Sequence, residues 1–222
     1  MGSIPETGLI TWLNHYSVIK CLDSEVPIEM FDYVGIDGVL LRLISRLGLE
    51  HSSADFSLPF WLGDKRLTVG LVGGTLESAE AHEINFSSCF PNTNVLWSLP
   101  GDKDYLKSVR EEFARIGFVP QLVLVAMGAP VQENAAIEIS KIIETHYPTS
   151  KALIATCGGW LDQLGVNNYY PKWATPLRLN WLVRLYREPA RLWKRYLIYP
   201  IFALYKRKMI LEYLKKISKF IG

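Results

Sequence analysis

Long apolar runs, paired cysteines and a secretion signal are all missing from this sequence. No apolar run reaches the roughly 18 residues that a membrane-spanning helix needs. The three cysteines, Cys21, Cys89 and Cys157, are far apart and form no CxxC pair, so they indicate a reducing compartment rather than a disulfide framework. The polar N-terminus lacks the basic and apolar regions of a signal peptide. We therefore expect a protein of the cytosol or of the cytosolic face of a membrane.

Several enzyme signatures are also missing. There is no GxSxG turn of the kind that carries a hydrolase serine. There is no GxGxxG motif followed about 20 residues later by an acid, which is the signature of dinucleotide binding. A nucleotide-binding dehydrogenase is therefore an alternative that the sequence does not favour. The four histidines have no metal-ligand spacing with the cysteines. Function must therefore be sought in loop residues of the fold.

Charge is distributed very unevenly along the chain. The last 42 residues carry 11 Lys/Arg and two Glu, out of 24 basic and 22 acidic residues in the whole chain, so the remainder is net acidic. Such asymmetry predicts a C-terminal segment that meets a polyanion. The alternative is a solvated basic face with no partner.

Short apolar runs alternate with longer stretches of helical periodicity over the first 165 residues. This alternation predicts an α/β fold with a Rossmann-like parallel sheet and helices on both faces. We assign residues 1–170 to this core and residues 171–222 to a basic helical appendage. The predicted strands are 9–13, 31–36, 67–72, 95–99, 122–126 and 152–155, and the predicted helices are 38–47, 76–86, 103–116 and 130–146.

Ligands of such folds bind at the carboxyl ends of the strands, so the residues there are the candidates. Asp37 and Gly38 follow the second predicted strand, where the acid is either a catalytic carboxylate or a helix N-cap. Gly73 and Gly74 follow the third strand and open a helix, which suits a phosphate. A tight turn capped by Thr75 is the alternative.

Two further turns carry acidic or amide side chains, and each allows a functional and a structural interpretation. Gly128-Ala129-Pro130-Val131-Gln132-Glu133 closes the fifth strand and places Gln132 and Glu133 in the first turn of a helix, where they contact a ligand or serve only structure. The Asp102-x-Asp104 pair is compatible with a metal site. It precedes a helix, however, so we interpret it as capping.

The basic segment has two periodic patterns. Arg184, Arg187, Arg191 and Lys194 form one stripe at helical spacing, with Arg195 beside it. Further on, apolar residues at helical spacing oppose a lysine face, a pattern typical of a helix lying in an anionic bilayer. These are Ile210, Tyr213, Leu214, Ile217 and Ile221. The alternative is a helix packed on its own domain or on another subunit.

Together these segments resemble the WecG/TagA/CpsF family of bacterial glycosyltransferases from about residue 8 to residue 207. The segments that carry the resemblance are Thr11-Trp12-Leu13-Asn14, Asp37-Gly38, Leu71-Val72-Gly73-Gly74, the GAPVQE element at 128–133, Tyr170-Pro171-Lys172-Trp173 and the WLVRLYREPARLWKRY run at 181–196. The GAPxQE element and the long W-x-x-R-L-x-x-E-P-x-R-x-W-x-R-Y run are the most specific.

The resemblance implies an inverting transfer from a UDP-sugar (N-acetylmannosamine, its uronic acid or glucose) to an undecaprenyl-diphosphate-linked saccharide. It implies a role in the biosynthesis of exopolysaccharide, teichoic acid or O-antigen, at the cytoplasmic face of the bacterial inner membrane. It implies no requirement for a metal, a cofactor or a nucleic acid. The general base would be Asp37. Donor or acceptor contacts would come from Asn14, Gly73, Gly74, Gly128, Gln132, Glu133, Arg184, Arg191, Lys194 and Arg195.

Three positions depart from the family pattern. Trp12 stands where many members have Thr, Ser52-Ser53-Ala54-Asp55 stands where an Arg commonly precedes Gly-x-Asp, and Leu161-Asp162 replaces Phe-Asp. A membrane-docking protein without this activity is therefore the remaining alternative. A homo-oligomer is compatible with the sequence. Because all predicted strands precede Asn180, we expect the core to fold without the residues that follow.

Overall fold

Seven parallel strands form one sheet in the part of the chain that the computed structural model describes. That part comprises residues 5–45, 52–63, 65–166, 169–171, 174 and 179–221, with the side chains of 191 and 221 left out. The spatial order of the strands is β4-β3-β5-β6-β1-β2-β7. Their bounds are β1 Gly8–Leu13, β2 Tyr33–Ile36, β3 Thr68–Gly73, β4 Asn94–Leu99, β5 Leu122–Ala126, β6 Leu153–Thr156 and β7 Phe220–Ile221.

Apolar side chains leave the strands alternately toward two faces, and helices cover both. One face packs against the core helices α1, α2, α5 and α6 and against two C-terminal helices, α10 Tyr199–Tyr205 and α11 Arg207–Leu214. The other face packs against α3, α4 and α7. The core helices are α1 His15–Asp23, α2 Val39–Ser45, α3 Ala54–Leu62, α4 Leu76–Cys89, α5 Tyr105–Ile116, α6 Val131–His146 and α7 Trp160–Leu164. The predicted parallel sheet with helices on both faces is confirmed.

The six predicted strands and four predicted helices are present with small shifts at their ends, but helices α1, α3 and α7 and strand β7 were missed. Helix α1 begins directly after β1, where Asn14 caps it. Helix α3 has only two polar residues, contains Pro59 and exposes Phe56 and Phe60, so its sequence lacks helical periodicity. Strand β7 is two residues long and joins the sheet only through its pairing with β2.

The C-terminal segment continues the core. It contains α8 Asn180–Arg187, α9 Pro189–Trp193, a π-helical turn at Lys194–Ile198, α10 Tyr199–Tyr205, α11 Arg207–Leu214 and β7. Ile210, Tyr213, Leu214 and Ile217 are buried in the same cluster as the strands. The expectation that this apolar stripe lies in a bilayer is therefore wrong, because the stripe packs on its own domain.

The division at residue 170 remains a prediction, although the two parts share one hydrophobic core. Among the residues that the structure describes, no helix is long and apolar enough to cross a membrane.

This packing reverses our expectation for a chain truncated after Asn180, which would uncover part of the core. Leu214 is 1% exposed, whereas Leu204 in the same segment is 59% exposed. We predict that Leu214→Ala lowers the free energy of unfolding by about 2–5 kcal/mol. Leu204→Ala should change it by less than about 0.5 kcal/mol. Urea denaturation in the absence of lipid measures both, and equal, small effects would contradict the shared core.

Candidate active site

A cleft of about 740 Å³ lies at the carboxyl ends of the parallel strands. Its walls come from the ends of five strands and from the C-terminal segment, which crosses the edge of the sheet. The lining residues include Trp12, Asn14, Asp37, Asp55, Gly74, Met127, Gly128, Gln132, Thr156, Gly158, Asp162, Arg184, Lys194, Arg195 and Tyr199. A cleft of this size and position is typical of ligand sites in open α/β sheets.

Asp37 lies where the sequence places it, at the end of β2 on the wall of the cleft. Its backbone N–H donates to the Leu13 carbonyl at 2.7 Å, which holds the ends of β1 and β2 together. Gly38 follows with φ +84°, a left-handed conformation that glycine adopts without strain and that turns the chain sharply toward α2. The carboxyl group of Asp37 is thus presented at a fixed point of the cleft wall.

Asn14 also lines the cleft, but its side-chain oxygen is occupied. That oxygen accepts the backbone N–H groups of Tyr16 and Ser17, each at 3.0 Å, and so caps α1. Because an amide has one oxygen and one NH2 group, a ligand can reach Asn14 only through the NH2 group. The predicted polar contact is therefore limited to hydrogen-bond donation.

The two glycines after β3 have different roles. Gly74 lines the cleft, and Thr75 caps α4 as the structural alternative proposed. Gly73 is buried, and a Cβ at this position would lie 2.3 Å from the carbonyl oxygen of Ala126 on the neighbouring strand. Gly73 allows the close approach of β3 to β5 and is not among the lining residues of the cleft, and its predicted ligand contact stays a prediction. Gly128 lines the cleft as predicted.

Gln132 and Glu133 brace the floor of the site. The Gln132 NH2 group donates to Glu133 at 2.9 Å, and its oxygen accepts the Gly158 N–H at 3.0 Å. Glu133 is fully buried and accepts a hydrogen bond from Thr11 at 3.2 Å. Burial raises the pKa of Glu133, and these hydrogen bonds partly offset the rise. Glu133 is buried beneath the lining of the cleft, and its predicted ligand contact stays a prediction.

Arg184 contacts the core at Asp55, an acid that was not among the predicted site residues. Its guanidinium lies 3.9 Å from the carboxylate of Asp55, which also accepts the Tyr170 hydroxyl at 3.4 Å. Burial raises the pKa of Asp55, the Arg184 guanidinium offsets part of that rise, and the nearby Asp37 adds to it. Two carboxyl groups and a guanidinium therefore meet in one part of the cleft.

Lys194 and Arg195 reach the cleft from the π-helical turn. The Arg195 guanidinium lies 5.2 Å from the centre of the Tyr16 ring and 5.8 Å from that of Tyr196, distances at which cation–π attraction is effective. The backbone of Arg191 belongs to α9, but its side chain lies outside the described part of the structure, so its predicted contact stays a prediction.

Trp12 and Asp162 complete the lining. The Trp12 indole N–H donates to the Ser52 hydroxyl at 2.9 Å, so two of the three positions that depart from the family pattern contact each other. Asp162 is paired with the buried His82 at 2.8 Å. Sequence reasoning noted Trp12 and Asp162 only as departures. Asp55 lies in the first turn of α3, where an acid is also favoured by the helix dipole, so its sequence position is only a weak signal of function.

The Asp102 and Asp104 carboxylates do not line the cleft. Asp102 accepts the backbone N–H of Asp104 at 2.9 Å in the turn before α5, whereas Asp104 makes no side-chain cap. Within the described residues no group of three or more His, Cys, Asp or Glu side chains is arranged to hold a metal ion.

Comparison with known proteins shows to which family the chain belongs. The model of the glycosyl transferase WecG/TagA/CpsF family matches residues 5–216, which include every strand that borders the cleft and the segment that carries Arg184, Lys194 and Arg195. No curated protein matches the chain. Because the family match covers nearly the whole chain, the protein belongs to the WecG/TagA/CpsF family of glycosyltransferases.

Proposed function

We propose that the protein transfers one sugar from a UDP-sugar to a saccharide linked to undecaprenyl diphosphate, with inversion at the anomeric carbon, in the synthesis of a cell-surface polysaccharide. The observation that carries the proposal is the meeting of acids and bases in one cleft. Asp37 and Asp55 come from the core, and Arg184, Lys194 and Arg195 come from the C-terminal segment. This combination suits a reaction that takes a proton from one group and leaves negative charge on another.

Asp37 is the proposed general base. In an inverting transfer the acceptor hydroxyl attacks the anomeric carbon, the bond from that carbon to the UDP oxygen breaks, and the hydroxyl proton passes to a carboxylate. Asp37 is suited to this role because the ends of β1 and β2 hold its backbone at the cleft wall. Asp55 has its carboxylate engaged by Tyr170 and Arg184, which suits it to orient the C-terminal segment instead.

The departing UDP leaves with developing negative charge on its diphosphate. The Nε groups of Arg184 and Arg195 are buried and have no hydrogen-bond partner within the described residues. Donors of this kind are suited to phosphate oxygens, which guanidinium groups bind in a planar, two-pronged geometry. The donor would therefore lie with its diphosphate toward the C-terminal segment and its sugar toward Asp37.

The same segment offers a surface for the lipid-linked acceptor, at a different place from the stripe first expected. The π-helical turn and the residues that follow it expose several large apolar side chains, and the exposed Lys208 is their neighbour in sequence. We call this the lipid-facing surface, and it consists of Leu197, Ile201, Phe202, Leu204, Tyr205 and Met209. Exposed apolar patches flanked by lysine are typical of proteins that lie on anionic bilayers. We infer a peripheral position on the cytoplasmic face of the inner membrane.

The base role gives the first test of this proposal. Asp37→Asn removes the proton acceptor with little change in shape, so we predict that turnover falls at least about a hundredfold. UDP binding, measured by calorimetry, should stay close to that of the unchanged protein. Asp102→Asn is the matched control, because Asp102 lies outside the cleft lining and should leave turnover unchanged. Near-normal turnover of the Asp37 variant would remove Asp37 from the chemistry.

Charge neutralisation by side chains predicts a transfer that is independent of divalent metal. The cations of the C-terminal segment can offset the charge of the diphosphate, and Asp102 and Asp104 lie outside the cleft lining. We expect the same initial rate with EDTA as with added Mg²⁺ or Mn²⁺. An Asp102→Asn/Asp104→Asn variant should also keep its rate. Activity lost in EDTA and restored by either metal would contradict the prediction.

The lipid-facing surface is tested with a pair of isoleucines of equal exposure. Ile201 is 68% exposed on that surface, and Ile84 is 66% exposed on α4, which packs on the opposite face of the sheet. Ile201→Asp should weaken binding to anionic liposomes at least about tenfold, since one apolar side chain in a bilayer contributes about 1.5–3 kcal/mol. Ile84→Asp should have no effect. Flotation measures both, and equal flotation of the two variants would exclude this surface.

A further inference from the structure

The π-helical turn at Lys194–Ile198 holds two of the cations of the cleft, and its backbone bonding is unusual. In a π-helix the N–H of residue i+5 donates to the carbonyl of residue i. The Tyr199 N–H donates to the Lys194 carbonyl in this way. Short π-helical segments are frequent at functional sites, because they re-aim the side chains that they carry.

The next bond of this pattern cannot form. It would join the Arg195 carbonyl to the N–H of residue 200, and residue 200 is a proline, which has no N–H. The amide of Tyr199, one residue earlier, is already used by Lys194. A backbone carbonyl that is shielded from water and left without a donor costs about 1–3 kcal/mol.

His15, the first residue of helix α1, supplies a donor. Its Nε2 lies 2.9 Å from the Arg195 carbonyl oxygen. A carbonyl oxygen can only accept, so the proton of the imidazole must be on Nε2. His15 is the first residue of α1 and directly follows Asn14, so this bond joins the β1–α1 wall of the cleft to the backbone of Arg195.

The side chain of Arg195 is directed by the same group of residues. Its guanidinium lies near the rings of Tyr16 and Tyr196, and the His15 ring lies 6.4 Å from the Tyr196 ring. His15 therefore fixes the backbone of Arg195 while the two tyrosines fix its side chain. Burial lowers the pKa of His15, which keeps the ring neutral with a single N–H at neutral pH.

We propose that His15 is a positioning residue, whose Nε2–H replaces the donor that Pro200 lacks and holds Arg195 in place to bind the diphosphate of the UDP-sugar. The part that concerns the diphosphate rests on the function proposed above. We assign no chemical step to His15, because it is not among the residues that line the cleft. Its effect reaches the substrate through Arg195.

Substitution of His15 in the full-length protein tests this role. His15→Leu keeps the size of the side chain and removes the donor, so the Kd for UDP and the KM for the UDP-sugar should rise about tenfold, as expected for a lost bond of about 1.4 kcal/mol, with a smaller change in kcat. His15→Gln offers an NH2 group at a similar reach and should restore most of the affinity. Equal losses in both variants, or no loss in His15→Leu, would overturn the proposal.

A double-mutant cycle separates positioning from general damage. If His15 acts through Arg195, then His15→Leu should cause no further loss of UDP affinity in an Arg195→Ala background. Losses that simply add would overturn the coupling. Pro200→Ala returns an N–H at the position where the π-helical pattern needs one, so it should recover part of the affinity lost in His15→Leu. A double variant no better than His15→Leu would overturn the role assigned to Pro200.

One measurement is independent of the substrate. Nitrogen-15 NMR spectra of the imidazole groups, assigned with His15→Gln, should show His15 as the neutral form with its proton on Nε2. A proton on Nδ1 would overturn the proposed bond even if the protein binds UDP. A protein that shows the Nε2 proton but binds no UDP would instead contradict the proposed function and the diphosphate role together.

Discussion

The burial of α11 and β7 against the sheet determines where the rest of the C-terminal segment runs. Ile210, Tyr213 and Leu214 share a core with the strands, and β7 extends the sheet beside β2. Helix α8 and the π-helical turn, which precede α11 in the chain, place Arg184, Lys194 and Arg195 in the lining of the cleft. Apolar packing remote from the site thus decides which charges reach the substrate.

The uneven charge of the sequence has a structural meaning in this arrangement. The acidic core contributes Asp37, Asp55 and Asp162 to the cleft, and the basic segment contributes Arg184, Lys194 and Arg195. Opposite charges attract the segment to the core, and the ion pairs of Arg184 with Asp55 and of Lys206 with Asp23 are direct contacts between them. The cations that remain are available for an anionic ligand, so the same charges serve folding and binding.

The order of strands and helices could be predicted because each strand is an apolar run and each long helix has a buried face. The missed elements lack those signals. Helix α3 has only two polar residues and therefore no periodic polar face, and β7 pairs only with β2. Asp37 could be selected because its position depends on the end of a single strand. Asp55 could not, because its meeting with Arg184 requires α3 and α8 to be placed by tertiary packing.

The sequence motifs do not distinguish residues that line the cleft from residues buried beneath its lining. Gln132 and Glu133 are adjacent in the GAPVQE element, yet Gln132 lines the cleft and Glu133 is wholly buried below it. Gly73 and Gly74 differ in the same way. Consecutive residues at the end of a strand or the start of a helix point in different directions, and a sequence pattern marks both as candidates.

The central claim is that this cleft transfers a sugar from UDP to a polyprenyl-diphosphate-linked saccharide. The most direct measurement incubates the protein with a panel of UDP-sugars and short-chain polyprenyl-diphosphate-sugar acceptors, with mass spectrometry of the lipid product. The account predicts that one donor adds a single sugar to the acceptor and releases an equal amount of UDP. Release of UDP without any gain in acceptor mass, or transfer from a donor that carries no UDP, would contradict it.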